Sequence, residues 1–205
     1  MSYKITTLKL NHLTIVNFKL KHLVNLTLLE LQFGQIQTFV LENCLDLKTL
    51  SLHGNNLKEF SQSILHFTNL ESLDLCYNTI SQIPNEISQL QNLKYFNLGS
   101  NELTEFSNVL LQLVNLKTLD LHRNKISKVF ILDSNLQTLT NLDLSDNNID
   151  EIYLQLPELQ YLNLNNNQIV QINLQTPKLQ KLYLYNNSNI YSNLTLPKST
   201  KMFMD

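Results

Sequence analysis

Two sets of residues have the types that serine hydrolases use. The sets are Ser51, His53 and Asp74, and Ser145, His122 and Asp143. Such a triad needs an ordered chain of hydrogen bonds, a buried carboxylate that orients the histidine, and converging donors that stabilise the oxyanion. Both sets fall in short segments of alternating apolar and polar residues, which predict an open, solvent-facing sheet. The chain also has only three glycines to shape a nest of backbone donors. We therefore predict that the protein is not an enzyme.

Metal binding is the second chemistry that these residues suggest. His53, Cys76 and His122 occupy the same position in three such segments. His53 and Cys76 are predicted on adjacent strands, but His122 lies two strands beyond Cys76, about 10 Å away. A four-ligand zinc site does not close over that distance. The chain also lacks the glycine-rich phosphate-binding patterns and any C-x-x-C pair. We predict no metal ion and no cofactor.

Charge and composition limit the classes of partner. The formal net charge is −2, which provides no basic surface for nucleic acid, and no polybasic cluster suggests a membrane surface. No apolar run approaches the roughly 20 residues of a membrane span. The N-terminal residues lack the apolar core of a signal peptide, and the only cysteines are Cys44 and Cys76. We expect a cytoplasmic protein with free thiols, and secretion into a host cell by a non-classical route is the alternative.

The elements that position these residues follow from an internal repeat. Leu70–Ile80 reads L-x-x-L-x-L-x-x-N-x-I, and the pattern returns in copies that begin at residues 93, 116 and 139, 23 residues apart. Less regular copies begin near residues 5, 26 and 47. Two shorter steps of 20 residues give copies at 159 and 179, and a degenerate copy near 199 places Met202 and Met204 at leucine positions. We predict one domain over residues 1–205.

This motif and period resemble the leucine-rich repeat family. The resemblance implies an α/β, β-rich solenoid, a right-handed horseshoe whose concave face is a parallel sheet of about nine to ten strands. Short helical, 3₁₀ or extended segments would form the convex side. Residues 83–87 (I-P-N-E-I) resemble the typical intracellular repeat class, and the 20-residue copies resemble short bacterial repeats. Because those shorter copies have no room for a helix, we expect the convex side to change from helical to extended after Ile149.

The ninth position of the repeat carries asparagine in seven copies. A short amide offers a donor and acceptors to the buried backbone at the turn, so stacked repeats predict a ladder of hydrogen bonds. The asparagines are Asn55, Asn78, Asn101, Asn124, Asn147, Asn167 and Asn187. Cys44 falls in register with the buried apolar residues of the convex segments, which predicts a core thiol.

Function is expected on the residues between the leucines, at the third, fifth and seventh positions, which face outward from the sheet. Tyrosines near the C-terminus supply large, rigid contact area of the kind enriched at binding hot spots, although tyrosine also decorates strand surfaces without a partner. Aspartates make the centre acidic, although exposed aspartates are often simply solvated. The candidate protein-binding residues are Tyr95, Asp120, His122, Asp143, Tyr161, Asn163, Tyr183 and Tyr185.

The resemblance implies a non-enzymatic protein–protein interaction module that binds a partner, with a basic segment favoured by the acidic row, on its concave face. A scaffold or regulatory subunit is the first interpretation. A bacterial effector that binds a host protein, and a fragment of a larger leucine-rich repeat protein, are the alternatives. Neither end shows a well-formed polar cap, so self-association through the uncapped ends is a further prediction.

Overall fold

The computed structural model describes residues 4–132, 135–187 and 194–204. These residues form fifteen short strands and three 3₁₀ helices. The strands in chain order are β1 (Thr7–Lys9), β2 (Asn17–Lys21), β3 (Leu28–Glu30), β4 (Thr38–Glu42), β5 (Thr49–Ser51), β6 (Ser72–Asp74), β7 (Tyr95–Asn97), β8 (Thr118–Asp120), β9 (Lys128–Ile131), β10 (Asn141–Asp143), β11 (Glu151–Gln155), β12 (Tyr161–Asn163), β13 (Gln171–Gln175), β14 (Lys181–Tyr183) and β15 (Lys201–Phe203). No helix among the described residues is long and apolar enough to cross a bilayer.

Ten of the strands form one parallel sheet that runs through every repeat. Their order is β1-β3-β5-β6-β7-β8-β10-β12-β14-β15. The central residue of each strand is the second leucine of the motif, so Leu73 pairs with Leu50 on one side and Phe96 on the other. The last strand follows the same register, because Met202 pairs with Leu182. The parallel-strand solenoid expected from the repeat is confirmed, and single-domain organisation stays a prediction.

The core lies between this sheet and the return segments. The first leucine of each motif, the L-x-L pair and the closing isoleucine or leucine are buried through the middle of the array, as Leu70, Leu73, Leu75 and Ile80 illustrate. At the N-terminal end Leu8 is only partly buried, and Met202 at the other end is exposed. The repeats therefore share one continuous apolar core that thins at both ends.

Three consecutive returns contain 3₁₀ helices, at Ile64–His66, Asn85–Gln89 and Asn108–Gln112. Pro84 precedes the second of these in an extended conformation, and Glu86 lies in its first turn, as the sequence predicts for a helix start. Each of these three returns has apolar residues three, seven and ten positions after the closing residue.

The predicted change from helical to extended returns after Ile149 is wrong. The extended form begins one repeat earlier, at β9, which pairs with β11 in a second parallel sheet of the order β13-β11-β9. The return that holds β9 has Val129 and Ile131 in alternation but Asp133 where the helical returns place a buried apolar residue. The first two returns are also extended, since β2 pairs with β4. Within the described residues, helical returns are therefore confined to the middle of the array.

The asparagine ladder is present as predicted. Asn101 donates from Nδ2 to the carbonyls of Leu75 and Leu98 at 3.0 and 3.1 Å, and its Oδ1 accepts the Ile80 amide at 2.9 Å. Each amide therefore joins its own repeat to the preceding one. The same bonds recur at every asparagine of the series, from Asn55 to Asn187. Cys44 is fully buried as expected, and burial raises the pKa of its thiol.

Candidate functional site

All eight predicted binding residues lie on one surface. This surface, the sheet face, consists of the third, fifth and seventh positions of the repeats, on and just after the strands of the ten-stranded sheet. Among the aromatic residues, Tyr95 and Tyr185 are exposed, and Tyr161 and Tyr183 are half-buried. The sequence therefore identified the surface correctly, while the binding role of these residues stays a prediction.

The fifth-position row has a structural task that the sequence analysis missed. In five consecutive repeats, an aspartate or asparagine Oδ1 accepts the amide of the residue two positions later, in the manner of an Asx turn. The distances lie between 2.9 and 3.2 Å for Asp74, Asn97, Asp120, Asp143 and Asn163. One oxygen of each aspartate is therefore used in a hydrogen bond to the backbone. The other oxygen of Asp143 accepts a hydrogen bond from the side-chain Nδ2 of Asn163 at 2.9 Å.

His122, which lies two residues after the end of β8, is paired with the carboxylate of the last residue of that strand. Its Nδ1 lies 2.7 Å from Asp120 Oδ1, and this hydrogen bond is the main cause that raises the pKa of His122, with burial acting in the opposite direction. A Cβ atom at Gly99 would lie 2.2 Å from the imidazole ring, so the ring occupies the space that a side chain would fill. Glycine at position 99 is thus required for this orientation.

Neither of the two sets of serine, histidine and aspartate considered in the sequence is joined into a triad. His122 pairs with Asp120 rather than Asp143, and Ser145 Oγ instead donates to Asp143 at 2.6 Å. Ser51 Oγ accepts from Gln32. A different hydroxyl, Ser100 Oγ, lies 3.5 Å from His122 Nε2, at the limit of a hydrogen bond.

Even the Ser100 arrangement lacks a ready oxyanion donor at the serine itself. The Ser100 amide donates to the His122 carbonyl at 2.7 Å, so this N–H is already used by the sheet. These side chains therefore form a polar network on the sheet face.

Aromatic rings are brought together at the C-terminal end of the sheet face. The Tyr161 and Tyr183 ring centroids are 5.3 Å apart, and Tyr183 stacks on Phe203 at 4.6 Å with an interplanar angle of 8°. Burial is the main cause that raises the pKa of Tyr161, and the charges of Asp143 and Asp120 add to the effect. The aromatic cluster is defined as Tyr161, Tyr183 and Phe203. Phe203 was absent from the predicted site because it lies in the degenerate last copy of the motif.

A second set of rings lies near the other end, at the seventh and eighth positions. His12 stacks on Phe33 at 5.6 Å, Phe33 contacts His53 at 5.0 Å, and His53 contacts Tyr77 at 5.3 Å. Arg123 donates to the Tyr77 hydroxyl at 3.1 Å. Phe33 is 53% exposed and Tyr77 47% exposed. Sequence reasoning did not assign the eighth position to a surface and therefore missed this group.

His53, Asp74 and Cys76 form a compact cluster beside these rings. One donor atom of each residue lies within 4.8 Å of the donor atoms of the other two, and no other set of three such residues among those described meets this spacing. His53 Nδ1 lies 3.6 Å from Asp74 Oδ2. Cys76 is only 2% exposed, and burial, with the neighbouring charges of Asp74 and Asp120, raises the pKa of its thiol to about 12.

Family comparisons agree with the fold. Two family models, both described as leucine-rich repeat, match residues 68–126 and residues 158–177. The chain is therefore a leucine-rich repeat protein. The comparison with curated proteins returns no match.

Solved structures with the same architecture include a leucine-rich repeat protein of Leptospira interrogans. It is 34% identical, with 80% of this chain and 44% of that chain covered and a TM-score of 0.73. The functional domain of InlJ from Listeria monocytogenes is 22% identical, with 98% and 43% covered and a TM-score of 0.81, which shows the fold alone. TLR13 in complex with ssRNA13 is 27% identical, with 79% and 25% covered and a TM-score of 0.68. The chain thus spans less than half the length of each of these proteins.

Proposed function

We propose that the protein is a non-enzymatic interaction module that binds a partner protein on its sheet face. Leucine-rich repeats commonly serve as protein–protein interaction modules, which supports this class of function. The observation that carries the proposal is the aromatic cluster, in which three rings stand side by side on an exposed parallel sheet. Large aromatic surfaces held in place by a rigid scaffold lose little entropy on docking.

The chemistry of the surrounding residues favours a basic segment as the bound element. Asp120 and Asp143 are close enough to affect the ionisation of Tyr161, so the aromatic cluster borders an acidic row. A lysine or arginine of the partner can contact the ring faces and pair with a carboxylate at the same place. Lys181 and Lys201 occupy the neighbouring third-position row in the last two strands. The partner's positive charge is therefore directed towards the acidic side of the cluster.

Two settings are compatible with this activity. In the first, the chain acts as a scaffold or regulatory subunit in the cytoplasm. In the second, it is a bacterial effector that binds a host protein, and the similarity to a Leptospira interrogans protein supports this setting. In either setting the chain can be part of a longer protein, because it spans only 44% of that relative.

The test is peptide selection followed by affinity measurement. A random peptide library is selected on the wild type, and the affinity of the selected peptides is measured by calorimetry. The variant Tyr161→Ala/Tyr183→Ala/Tyr185→Ala removes three predicted contacts. The matched control is Phe130→Ala/Tyr153→Ala, which removes an adjoining aromatic pair from the second sheet, where the ring centroids are 5.4 Å apart.

We expect the selected peptides to be rich in lysine and arginine, and the triple variant to bind them about 100-fold more weakly while the control keeps wild-type affinity. Circular dichroism checks that both variants are folded. Equal binding by the triple variant would place the site elsewhere. Binding of single-stranded RNA in preference to every peptide would overturn the proposed class of partner.

A further inference from the structure

We propose that His53, Asp74 and Cys76 bind a zinc ion through one nitrogen, one oxygen and one sulfur atom, with a fourth coordination position left open. This inference is independent of the proposed protein-binding function. It replaces the sequence-based expectation of no metal site, which considered His53 and Cys76 together with His122 and did not consider Asp74.

The spacing of the donor atoms is close to that of tetrahedral zinc. Zinc bonds of about 2.0–2.2 Å to a nitrogen and an oxygen ligand place these two atoms roughly 3.3–3.5 Å apart. The 3.6 Å between His53 Nδ1 and Asp74 Oδ2 is slightly long for a hydrogen bond and lies close to that spacing. All three donor atoms already lie within 4.8 Å of one another. Small side-chain rotations therefore suffice to close the site.

Asp74 is held ready for this role by the fold. Its Oδ1 accepts the Cys76 amide at 3.0 Å, which leaves Oδ2 facing His53. A ligating carboxylate is ordinarily fixed in this way by a hydrogen bond to its other oxygen. The same Asx bond fixes the Asp74 carboxylate against the backbone of Cys76, so the oxygen ligand is positioned beside the residue that carries the sulfur before any ion arrives.

The surroundings exclude much of the water. Cys76 is 2% exposed, and the His53 ring contacts Phe33 at 5.0 Å and Tyr77 at 5.3 Å. An apolar shell around a metal site lowers the local dielectric and strengthens the attraction between the cation and its anionic ligands. His53 and Asp74 keep about a fifth of their side-chain surface exposed, so an ion has a path from solvent.

The donor set favours zinc over the hard cations. Thiolate and imidazole ligands suit zinc, whereas magnesium and calcium prefer oxygen ligands alone. On binding, the Cys76 thiol releases its proton to solvent and the sulfur donates an electron pair to the ion, so no oxidant or reductant is needed. His122 is not among the proposed ligands, and its ring is paired with Asp120. A zinc ion with three protein ligands and water in the fourth position forms an open site.

The test is calorimetric titration of zinc into the reduced protein after chelator treatment, with cobalt absorption as a second readout. We expect one zinc ion per chain and, with cobalt, the near-ultraviolet absorption of a sulfur–cobalt bond. His53→Ala and Asp74→Asn are each expected to weaken zinc binding by more than the roughly 10–100-fold that outer-shell substitutions cost. Asp74→Asn keeps the fold, since Asn97 makes the same Asx bond in the next repeat.

The controls match each ligand in type. His66→Ala removes an exposed histidine on a return, and Cys44→Ala removes the other buried thiol. Both are expected to bind zinc like the wild type, and Cys76→Ala is expected to abolish the cobalt–sulfur absorption. Absence of stoichiometric zinc binding to the wild type would overturn the proposal. So would a folded Asp74→Asn or His53→Ala variant that binds zinc as tightly as the wild type does.

Discussion

The N-terminal and C-terminal repeats meet the same backbone requirement with different residues. Every described eighth position from residue 12 to residue 186 has a positive φ, between 50° and 66°. In the C-terminal repeats the residues are Asp146, Asn166 and Asn186, types that tolerate this left-handed conformation. In the N-terminal and central repeats they are His12, Phe33, Gly54, Tyr77, Ser100 and Arg123.

The aspartate and asparagines of the C-terminal repeats stabilise the turn in two ways, by tolerating positive φ and by forming side-chain hydrogen bonds. Asn166 donates to Asp146 at 2.8 Å, and Asn186 donates to Asn166 at 2.6 Å, so the side chains link successive repeats. In the N-terminal repeats Phe33 and Tyr77 instead adopt the left-handed conformation, which costs bulky residues about 1–2 kcal/mol each. This conformation places their exposed rings against His53. The residues with unfavourable backbone conformations thus lie beside the proposed zinc site, as expected where function competes with stability.

The largest expected effect concerns a feature that both halves share, the asparagine ladder. Asn101→Ala leaves three carbonyls and the Ile80 amide without their side-chain partner in the buried centre. We expect a loss of about 3–5 kcal/mol in the free energy of unfolding. Asn187→Ala, at the half-buried end, should cost about 1–2 kcal/mol. Urea denaturation measures both, and equal losses would show that the ladder is not strengthened by burial.

Substitutions at the eighth position should cause an intermediate loss of stability, and its size should differ between the two halves. Asn166→Ala removes a residue suited to positive φ together with its bonds to Asp146 and Asn186. We expect it to destabilise the protein by about 1–2 kcal/mol. Ser100→Ala, at the corresponding turn of the central repeats, should change stability by less than about 0.5 kcal/mol because serine has no such advantage there. Thermal unfolding at one pH compares them, and the reverse order would contradict the comparison.

The smallest effect is a pH dependence at the centre of the sheet face. The pKa of His122 is raised above about 6.5 chiefly by its hydrogen bond to Asp120. A raised pKa contributes stability that is fully present below the unfolded value and is lost as pH rises through the folded value. Asp120→Asn keeps the Asx bond but removes the charge, so we expect the His122 pKa to fall. The free energy of unfolding of the wild type should exceed that of the variant by less at pH 8 than at pH 6.

NMR titration of the imidazole measures that pKa in both proteins. Asp143 and Arg123 also act on His122, the first raising and the second lowering its pKa. An Asp143→Asn control should therefore lower the pKa less than Asp120→Asn does. A larger fall in the Asp143 variant would mean that the observed pairing with Asp120 is not the dominant interaction.

The ten-strand register could be predicted because period-two alternation and a fixed repeat length leave only one way to stack the leucines. The asparagine ladder followed for the same reason, since a buried turn must satisfy its backbone groups in every copy. The point at which returns become extended could not be located as reliably. The β9 return has the length of a helical return, and pairing with β11 gives its alternating Val129 and Ile131 a continuous place in the core.

Site residues were predictable as a surface but not as partners. The sequence indicates that His122 lies near Asp120 and Asp143, yet the ring pairs with Asp120 because Gly99 leaves space for that orientation. The repeat places Asp74 among the outward-facing residues, but only the structure shows that its two oxygens face Cys76 and His53. Side-chain rotation decides both cases, and rotation depends on neighbours in adjacent repeats.

By itself the sequence determined the family, the parallel strands and the outward-facing rows, because each follows from a periodic pattern that every copy repeats. Only the tertiary structure decided which outward side chains meet. Residues 20–23 positions apart become neighbours across about 4.8 Å of sheet, so a missing side chain at Gly99 or a ring at Phe203 in one repeat sets the geometry of the adjacent one.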